Sequence, residues 1–278
     1  MPELPEVETV KRVIKPQIMG RRIASVDVHH PQIIAYPDAE SFALNLTGRI
    51  ITDMKRRGKF LALLFENKDR LILHLRMTGQ LLVTPAEHDI EKHTHLIVGL
   101  SGGNQLRYID TRRFGRFWYL KKGESLGITG ADKLGIEPTD KKLTAAYLKE
   151  SAAGRRIAVK EMLLDQSVVA GIGNIYSDEI LFAAGINPAA KCCDLTDGNW
   201  ASLAKMIPET INWAIRKNKI TPKQYLEGKG KEYKNTPFLK VYGHAGKPCP
   251  RCGSTLERIV IGGRGSTFCF RCQCTAQL

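Results

Sequence analysis

No stretch of this sequence approaches the ~20 consecutive apolar residues that a membrane-spanning helix needs. Its first ten residues, Met1 to Val10, are polar and acidic with two prolines, and they lack the apolar core of a secretory signal. A soluble, intracellular chain with no membrane partner is expected. No repeat at a solenoid period is visible, which argues against a stacked-repeat architecture. Negative charge is also scarce: 28 Asp and Glu face 42 Lys and Arg, for a net charge of +14.

A chain this short of acid attracts polyanions, and nucleic acid is the commonest of them. Solubility, or an acidic protein partner, would explain the total equally well. The distribution is more informative. From Arg216 to Leu278 there are thirteen Lys and Arg against three Asp and Glu, a local +10. Such clustering suits a surface that grips phosphates, without separating DNA from RNA.

At 278 residues and 43% hydrophobic composition, the chain can build two or three compact units with ordinary cores. Val7, Val10, Ile14 and Ile18 recur at helical spacing, with Pro5 suited to a first turn and Gly20 to an end. The chain therefore opens on an amphipathic helix, with Pro2 just before it. From Arg21 to Leu120 the pattern changes to short apolar-rich strands. These are Arg21–His29, Gly48–Met54, Phe60–Glu66, Arg70–Arg76, Gly79–Val83, His95–Leu100, Leu106–Asp110 and Arg116–Leu120. Turn clusters separate them, as a β-sandwich or barrel requires. Residues 121–140 read as a linker. Ala145–Ala152, Arg156–Leu164, Asn174–Ala184 and Trp200–Asn218 read as helices.

Seven cysteines are present, and four of them stand as Cys249-x-x-Cys252 and Cys269-x-x-Cys272. In an intracellular chain that pattern indicates metal ligation rather than disulfides. Cys192, Cys193 and Cys274 read as ordinary thiols. Two thiolate pairs on tight knuckles can close one tetrahedral Zn²⁺ site on a β-hairpin, and a closed site of this kind is structural. The metal would stiffen a hairpin too small to fold alone. The hairpin tip is Gly262-Gly263-Arg264-Gly265. It reads equally as a flexible turn or as a place where backbone and one arginine meet a phosphate.

The opening Met1-Pro2-Glu3-Leu4-Pro5-Glu6-Val7-Glu8-Thr9, taken with the two-CxxC module, resembles the bacterial formamidopyrimidine-DNA glycosylases. So do Asp110-Thr111-Arg112-Arg113-Phe114-Gly115 and the run from Leu164-Asp165-Gln166 into Val169-Ala170-Gly171-Ile172-Gly173-Asn174-Ile175-Tyr176. The resemblance covers nearly the whole chain. It implies an α+β multidomain fold. A catalytic β-sandwich with its N-terminal helix would span residues 1–130, and a helix–two-turns–helix domain residues 131–226. A lesion loop and zinc-finger hairpin would span residues 227–278, with DNA in the cleft between domains. It implies a bifunctional glycosylase and AP lyase of base excision repair, monomeric and cytoplasmic, at the bacterial nucleoid through its DNA. The partner is duplex DNA carrying oxidised purines or abasic sites.

The resemblance also assigns roles. Loss of Met1 makes Pro2 a secondary amine, and an α-amine titrates near pH ~8, so a neutral nucleophilic fraction exists. Attack on the sugar C1′ displaces the base and leaves an iminium, which acidifies the C2′ proton for β- and then δ-elimination. Read without the family, Pro2 merely starts a helix. Glu3 takes the acid/base role. Glu6 is supporting, although first-turn acids also suit the helix dipole. Lys59 contacts the phosphate beside the lesion and assists catalysis. Asn174 and Arg264 are the other phosphate grips, with Tyr242 and His74 as further candidates, although a strand histidine is commonly a buried one. Met77, Arg112 and Phe114 would fill the void left by the extruded nucleotide. By composition alone, Met77 and Phe114 read as core. Glu179 matches a position near the extruded base.

Three places depart from the family. Residues 229–237, the expected lesion loop, lack the usual Gly, Glu, Phe and Gln. His244 stands where an arginine is common, and the tail from Gln273 runs slightly long. The first two bear on substrate preference. An endonuclease VIII-like enzyme for oxidised pyrimidines and a non-catalytic damaged-DNA binder remain the rival readings.

Overall fold

Val7, Val10, Ile14 and Ile18 all lie buried along one face of α1, Leu4–Ile18. The structure is a computed structural model and describes residues 2–230 and 236–273. Met1, most of the expected lesion loop 229–237, and the tail with Cys274 lie outside the described residues.

Two compact units are present. One is drawn from Met1–Asp132 and Asn218–Lys234, the other from Lys133–Lys217 and Asn235–Leu278. The first unit follows α1 with β1 (Ile23–Val28), β2 (Ile34–Tyr36), α2 (Ala39–Leu46), β3 (Ile51–Arg57), β4 (Phe60–Phe65) and β5 (Arg70–His74). It continues with β6 (Gln80–Pro85), β7 (Thr94–Leu100), β8 (Asn104–Ile109) and β9 (Arg116–Leu120). These strands form a five-stranded sheet in the order β2-β9-β5-β4-β3 and a four-stranded sheet in the order β1-β7-β8-β6. All pairings are antiparallel except β2 with β9. Leu61, Leu73 and Phe117 of one sheet share a buried core with Leu81, Val98 and Tyr108 of the other, and α1 adds its apolar face. This is the sandwich that the strand spacing indicates.

In the second unit, α3 (Ala145–Ser151), α4 (Val159–Leu164), α5 (Asn174–Ala184) and α6 (Asp197–Lys217) follow. The segment 121–140, expected as a linker, holds two short 3-10 turns, and Ile136 makes a parallel bridge with Val169. The chain then returns to the first unit with α7 (Pro222–Glu227), which packs on α1 and β6 through buried Tyr225. That packing is why residues 218–226 group with the sandwich and not with the helices before them. Last come β10 (Glu257–Ile261) and β11 (Arg264–Phe268), an antiparallel hairpin in the second unit. Among the described residues, no helix is long and apolar enough to cross a membrane.

Candidate active site and nucleic-acid interface

Pro2 and Glu3 lie buried immediately before α1. The Glu6 carboxylate accepts the Glu3 N–H at 2.9 Å, so it caps the helix end that would otherwise leave that donor unmet. Glu6 thereby fixes the backbone beside Pro2. Glu8, two residues on, accepts from Arg12 and from Arg56 Nε, each at 2.9 Å, and pairs with Lys11 at 2.9 Å. Burial alone would raise its pKa, but the bonds from Lys11 and Arg56 outweigh that and hold it below the usual carboxylate range.

Arg56 carries this anchor to Lys59. Its Nη1 donates to the Gly58 carbonyl at 3.1 Å. Gly58 and Lys59 are the two loop residues between β3 and β4, closed by the Arg57–Phe60 pair. Gly58 has φ +54, the left-handed value that a glycine-first hairpin turn demands. The Glu8–Arg56–Gly58 chain thus joins the first turns of α1 to the turn that presents Lys59. Lys59 itself is buried. Arg56 and Glu8 had no site role in the sequence reading, since their partnership spans 48 positions.

His74 ends β5, edge-on to Phe60 at 4.7 Å. Its Nδ1 accepts the Arg76 N–H at 3.0 Å. Burial, then the Arg76 and Lys59 charges, push its pKa down to about 3. At neutral pH the ring is therefore uncharged, and with Nδ1 accepting from Arg76 its remaining proton sits on Nε2 as a hydrogen-bond donor.

Met77 and Phe114 are 40% and 46% exposed, so they are not core residues. The Arg112 guanidinium lies over the Phe114 ring, 4.7 Å from its centre. Fully buried Asp110 supports both of the loops that carry this trio. Its carboxylate accepts from the Thr78 hydroxyl, from Arg112 N at 3.1 Å, from Gly115 N at 3.0 Å and from the Tyr108 hydroxyl at 2.9 Å. Three exposed side chains capable of entering a base stack are thereby held on one rigid post.

In the second unit, Asn174 is the first residue of α5, and its Nδ2 donates to the Gly265 carbonyl at 3.1 Å. Its Oδ1 is buried and has no partner in the described structure. Lys160 Nζ reaches the same carbonyl at 3.1 Å. Asp178 accepts from the Ser266 hydroxyl at 2.6 Å and from Thr267 N at 2.9 Å. The hairpin is thus bolted to α4 and α5 through β11, one residue beyond Arg264. Gly262 and Gly263 form its two-residue tip, with φ of +53 and +73. That is the mirror-image turn that suits the twist of a hairpin, and it leaves Arg264 exposed beside it. Glu179 is buried, and its carboxylate accepts from the backbone N–H groups of Lys240, Val241 and Tyr242 at 2.9–3.0 Å. Here it organises the strap that carries Tyr242.

The four cysteine Sγ atoms of residues 249, 252, 269 and 272 lie within 4.8 Å of one another. Cys249 and Cys272 are 3.9 Å apart, Cys252 and Cys269 3.5 Å. A tetrahedron with metal–sulfur bonds of about 2.3 Å has edges of about 3.8 Å, so the cluster fits one ion with little rearrangement. The N–H groups of Arg251 and Cys272 point at Cys249 and Cys269 sulfurs at 3.4 Å, as thiolates require.

Family models match three consecutive parts of the chain. The formamidopyrimidine-DNA glycosylase N-terminal domain matches residues 1–117 and the H2TH domain of the same enzymes residues 134–225. A zinc finger found in FPG and IleRS matches residues 246–273. A formamidopyrimidine-DNA glycosylase of Moorella thermoacetica is 46% identical over 93% of this chain and 94% of its own. The chain belongs to the formamidopyrimidine-DNA glycosylase family. The Bacillus subtilis member is 41% identical over 98% of this chain and 99% of its own. Among solved structures, Lactococcus lactis FPG bound to FAPY-dG DNA superposes with a TM-score of 0.90 at 34% identity, covering 98% of this chain and all of that one. MutM bound to DNA with carbocyclic 8-oxo-G gives 0.89 at 35% identity, covering 99% and 100%. The family's three parts therefore lie in this chain in their expected order, with a cysteine cluster able to hold a structural metal.

Proposed function

We propose that this chain, a DNA glycosylase for oxidised purines in base excision repair, works through the secondary amine of Pro2. The amine nitrogen bonds to the sugar C1′ as the base leaves with the electron pair of the broken C–N bond. Glu3 supplies and removes protons at the sugar and base. The C1′–O4′ bond then opens, O4′ taking a proton from Glu3 as the amine loses its own, and leaves an iminium on Pro2. That iminium acidifies the C2′ proton; a base removes it, the C3′–O bond breaks with its electron pair leaving on the phosphate, and a second elimination breaks the C5′–O bond in the same way. AP lyase activity belongs to the family, and this sequence of steps produces it. Lys59, Asn174 and Arg264 hold phosphates by charge and hydrogen bonding. Met77, Arg112 and Phe114 enter the stack where the damaged nucleotide leaves it. Tyr242 is a further phosphate contact, and Glu179 acts on the base through the strap it organises. The four cysteines hold one Zn²⁺, which supplies rigidity to the hairpin. The enzyme acts as a cytoplasmic monomer on duplex DNA with damaged bases or abasic sites.

The observation that carries this reading is the anchoring of Lys59 to the start of α1. Glu6 sets the backbone next to Pro2, and Glu8, through Arg56, sets the turn of Lys59. A protein that only bound DNA would not need its N-terminal amine and a turn lysine braced together. Lesion preference is the finer question, because a related L. lactis enzyme has been solved with oxidised-pyrimidine DNA as well. Borohydride trapping on three duplexes tests both points. An adduct on the N-terminal peptide with 8-oxoguanine opposite cytosine supports the purine reading. Trapping with an oxidised pyrimidine alone moves the chain to the pyrimidine enzymes. No trapping, even at an abasic site, leaves a binding protein.

A further inference from the structure

β7 and β8 pair with one break in register. Thr94 pairs with Ile109 and Leu96 with Tyr108, so His95 is the extra residue of a β-bulge. A bulge bends its strand and re-aims a side chain. Here the side chain is aimed at the loop that carries Arg112 and Phe114. His95 Nε2 lies 2.8 Å from the Asp110 carbonyl oxygen, and both residues are buried. A carbonyl oxygen only accepts, so Nε2 carries the proton and donates.

His95 is itself held from several sides. Its carbonyl accepts the His29 N–H at 3.0 Å and the His30 N–H at 3.3 Å. Its ring packs near those of His30 and His93, with centres 5.2 and 6.4 Å away. The loop beyond β8 is gripped in turn at both ends of one residue. The Asp110 carboxylate receives the Thr78 hydroxyl and the Arg112 and Gly115 N–H groups, while its carbonyl receives His95. The Asp110 N–H donates to the His93 carbonyl at 3.1 Å. Arg113, three residues on, has φ +58. A non-glycine residue keeps such a backbone only where its surroundings fix it.

We propose that His95 is a positioning residue for base extrusion. Its Nε2–H sets the Asp110–Thr111 peptide, and through it the direction in which Arg112 and Phe114 leave the loop. Being buried, His95 acts through the loop and not on DNA itself. The inference rests on the reading above that Arg112 and Phe114 fill the void left by the damaged nucleotide.

The test compares full-chain His95→Phe, His95→Gln, Arg112→Ala and the double variant His95→Phe with Arg112→Ala. Affinities for an abasic-site duplex and an undamaged duplex are measured at one salt concentration, and thermal unfolding verifies each fold. His95→Phe keeps a ring and removes the donor, whereas His95→Gln keeps an amide N–H at similar reach. His95→Asn, whose amide falls short of the carbonyl, replaces His95→Phe if that variant does not fold. His95→Phe should lose about fivefold or more in the ratio of abasic to undamaged affinity, and His95→Gln should stay within about twofold. The double variant should lose less than the product of the two single losses, because both act on one function. Full selectivity in folded His95→Phe, with selectivity lost in Arg112→Ala, overturns the inference and leaves the void-filling reading standing. Equal losses in His95→Phe and His95→Gln, or single losses that multiply in the double variant, assign His95 to packing and also overturn it. Full selectivity in Arg112→Ala sinks the void-filling reading itself, and the inference with it.

Discussion

Lys160 and Asp178 form an ion pair at 2.6 Å with side chains 0% and 1% exposed, and each also holds β11. Burial pushes the Asp178 pKa up, while the Lys160 ammonium and the Ser266 and Thr267 donors act against that. Removing one member of such a pair leaves the other charge buried alone, at a cost of about 3–5 kcal/mol. Lys160→Met should therefore lower unfolding stability by about that amount and loosen the hairpin that presents Arg264. DNA affinity should fall in parallel. A urea-unfolding loss below ~1 kcal/mol, with unchanged DNA affinity, would show that the pair does not brace the hairpin.

A second post is steric. A Cβ built at Gly115 would stand 1.6 Å from the Tyr108 hydroxyl, the group that donates to Asp110. Gly115→Ala must displace Tyr108 or the 110–115 loop. Overpacking of this severity should cost about 3 kcal/mol or more. Because Asp110 also holds Arg112, the variant should lose affinity for an abasic-site duplex more than for an undamaged one. Equal losses on both duplexes would argue against a role in filling the void.

Much of this was legible in the sequence because it is local. The period of Val7, Val10, Ile14 and Ile18 gives α1. The spacing of four cysteines gives the metal cluster. Two helices were not legible. α2 has only eight residues and α7 six, each too short for an apolar period to stand out among its neighbours. Of these, α2 is capped by Asp38, which accepts from Ser41 N at 2.8 Å, and that local signal was available. The braces of the site were hidden for a different reason. Asp178 meets Ser266 across 88 positions and Glu179 meets Val241 across 62, and no spacing rule reaches that far. Exposure of Met77 and Phe114 likewise depends on what the fold leaves uncovered.

The cysteine cluster should bind one zinc per chain. Stripping it with a strong chelator, or Cys269→Ser, should leave residues 257–268 without protection in amide exchange, because so small a hairpin folds with its metal. The strands of the first unit should keep theirs. Persisting protection in a chain shown by mass to be metal-free would refute the structural role.

His74 makes stability depend on pH in a definite direction. Its ordinary pKa of 6.5 is pushed down to about 3 in the folded chain. Between those values the unfolded chain binds the extra proton, so stability rises with pH. The contribution is complete above pH 6.5 and is lost as pH falls toward 3. His74→Gln should flatten the dependence of the unfolding midpoint on pH between about 6.5 and 5. An unchanged slope would assign the titration to other groups.

The nucleophile can be tested without altering any side chain. A residue retained before Pro2 converts its amine to a peptide nitrogen, whose lone pair is delocalised into the carbonyl. Such a chain should keep its fold and its affinity for abasic-site DNA, since the helix cap made by Glu6 uses the Glu3 N–H and not the Pro2 nitrogen. Borohydride adducts and strand cleavage should both vanish. In the chain with a free Pro2, single-turnover trapping should speed up as pH rises toward ~8, because the neutral amine is the attacking form. If the extended chain traps as well as the free one, a lysine amine is the nucleophile, and buried Lys59 becomes the first to examine.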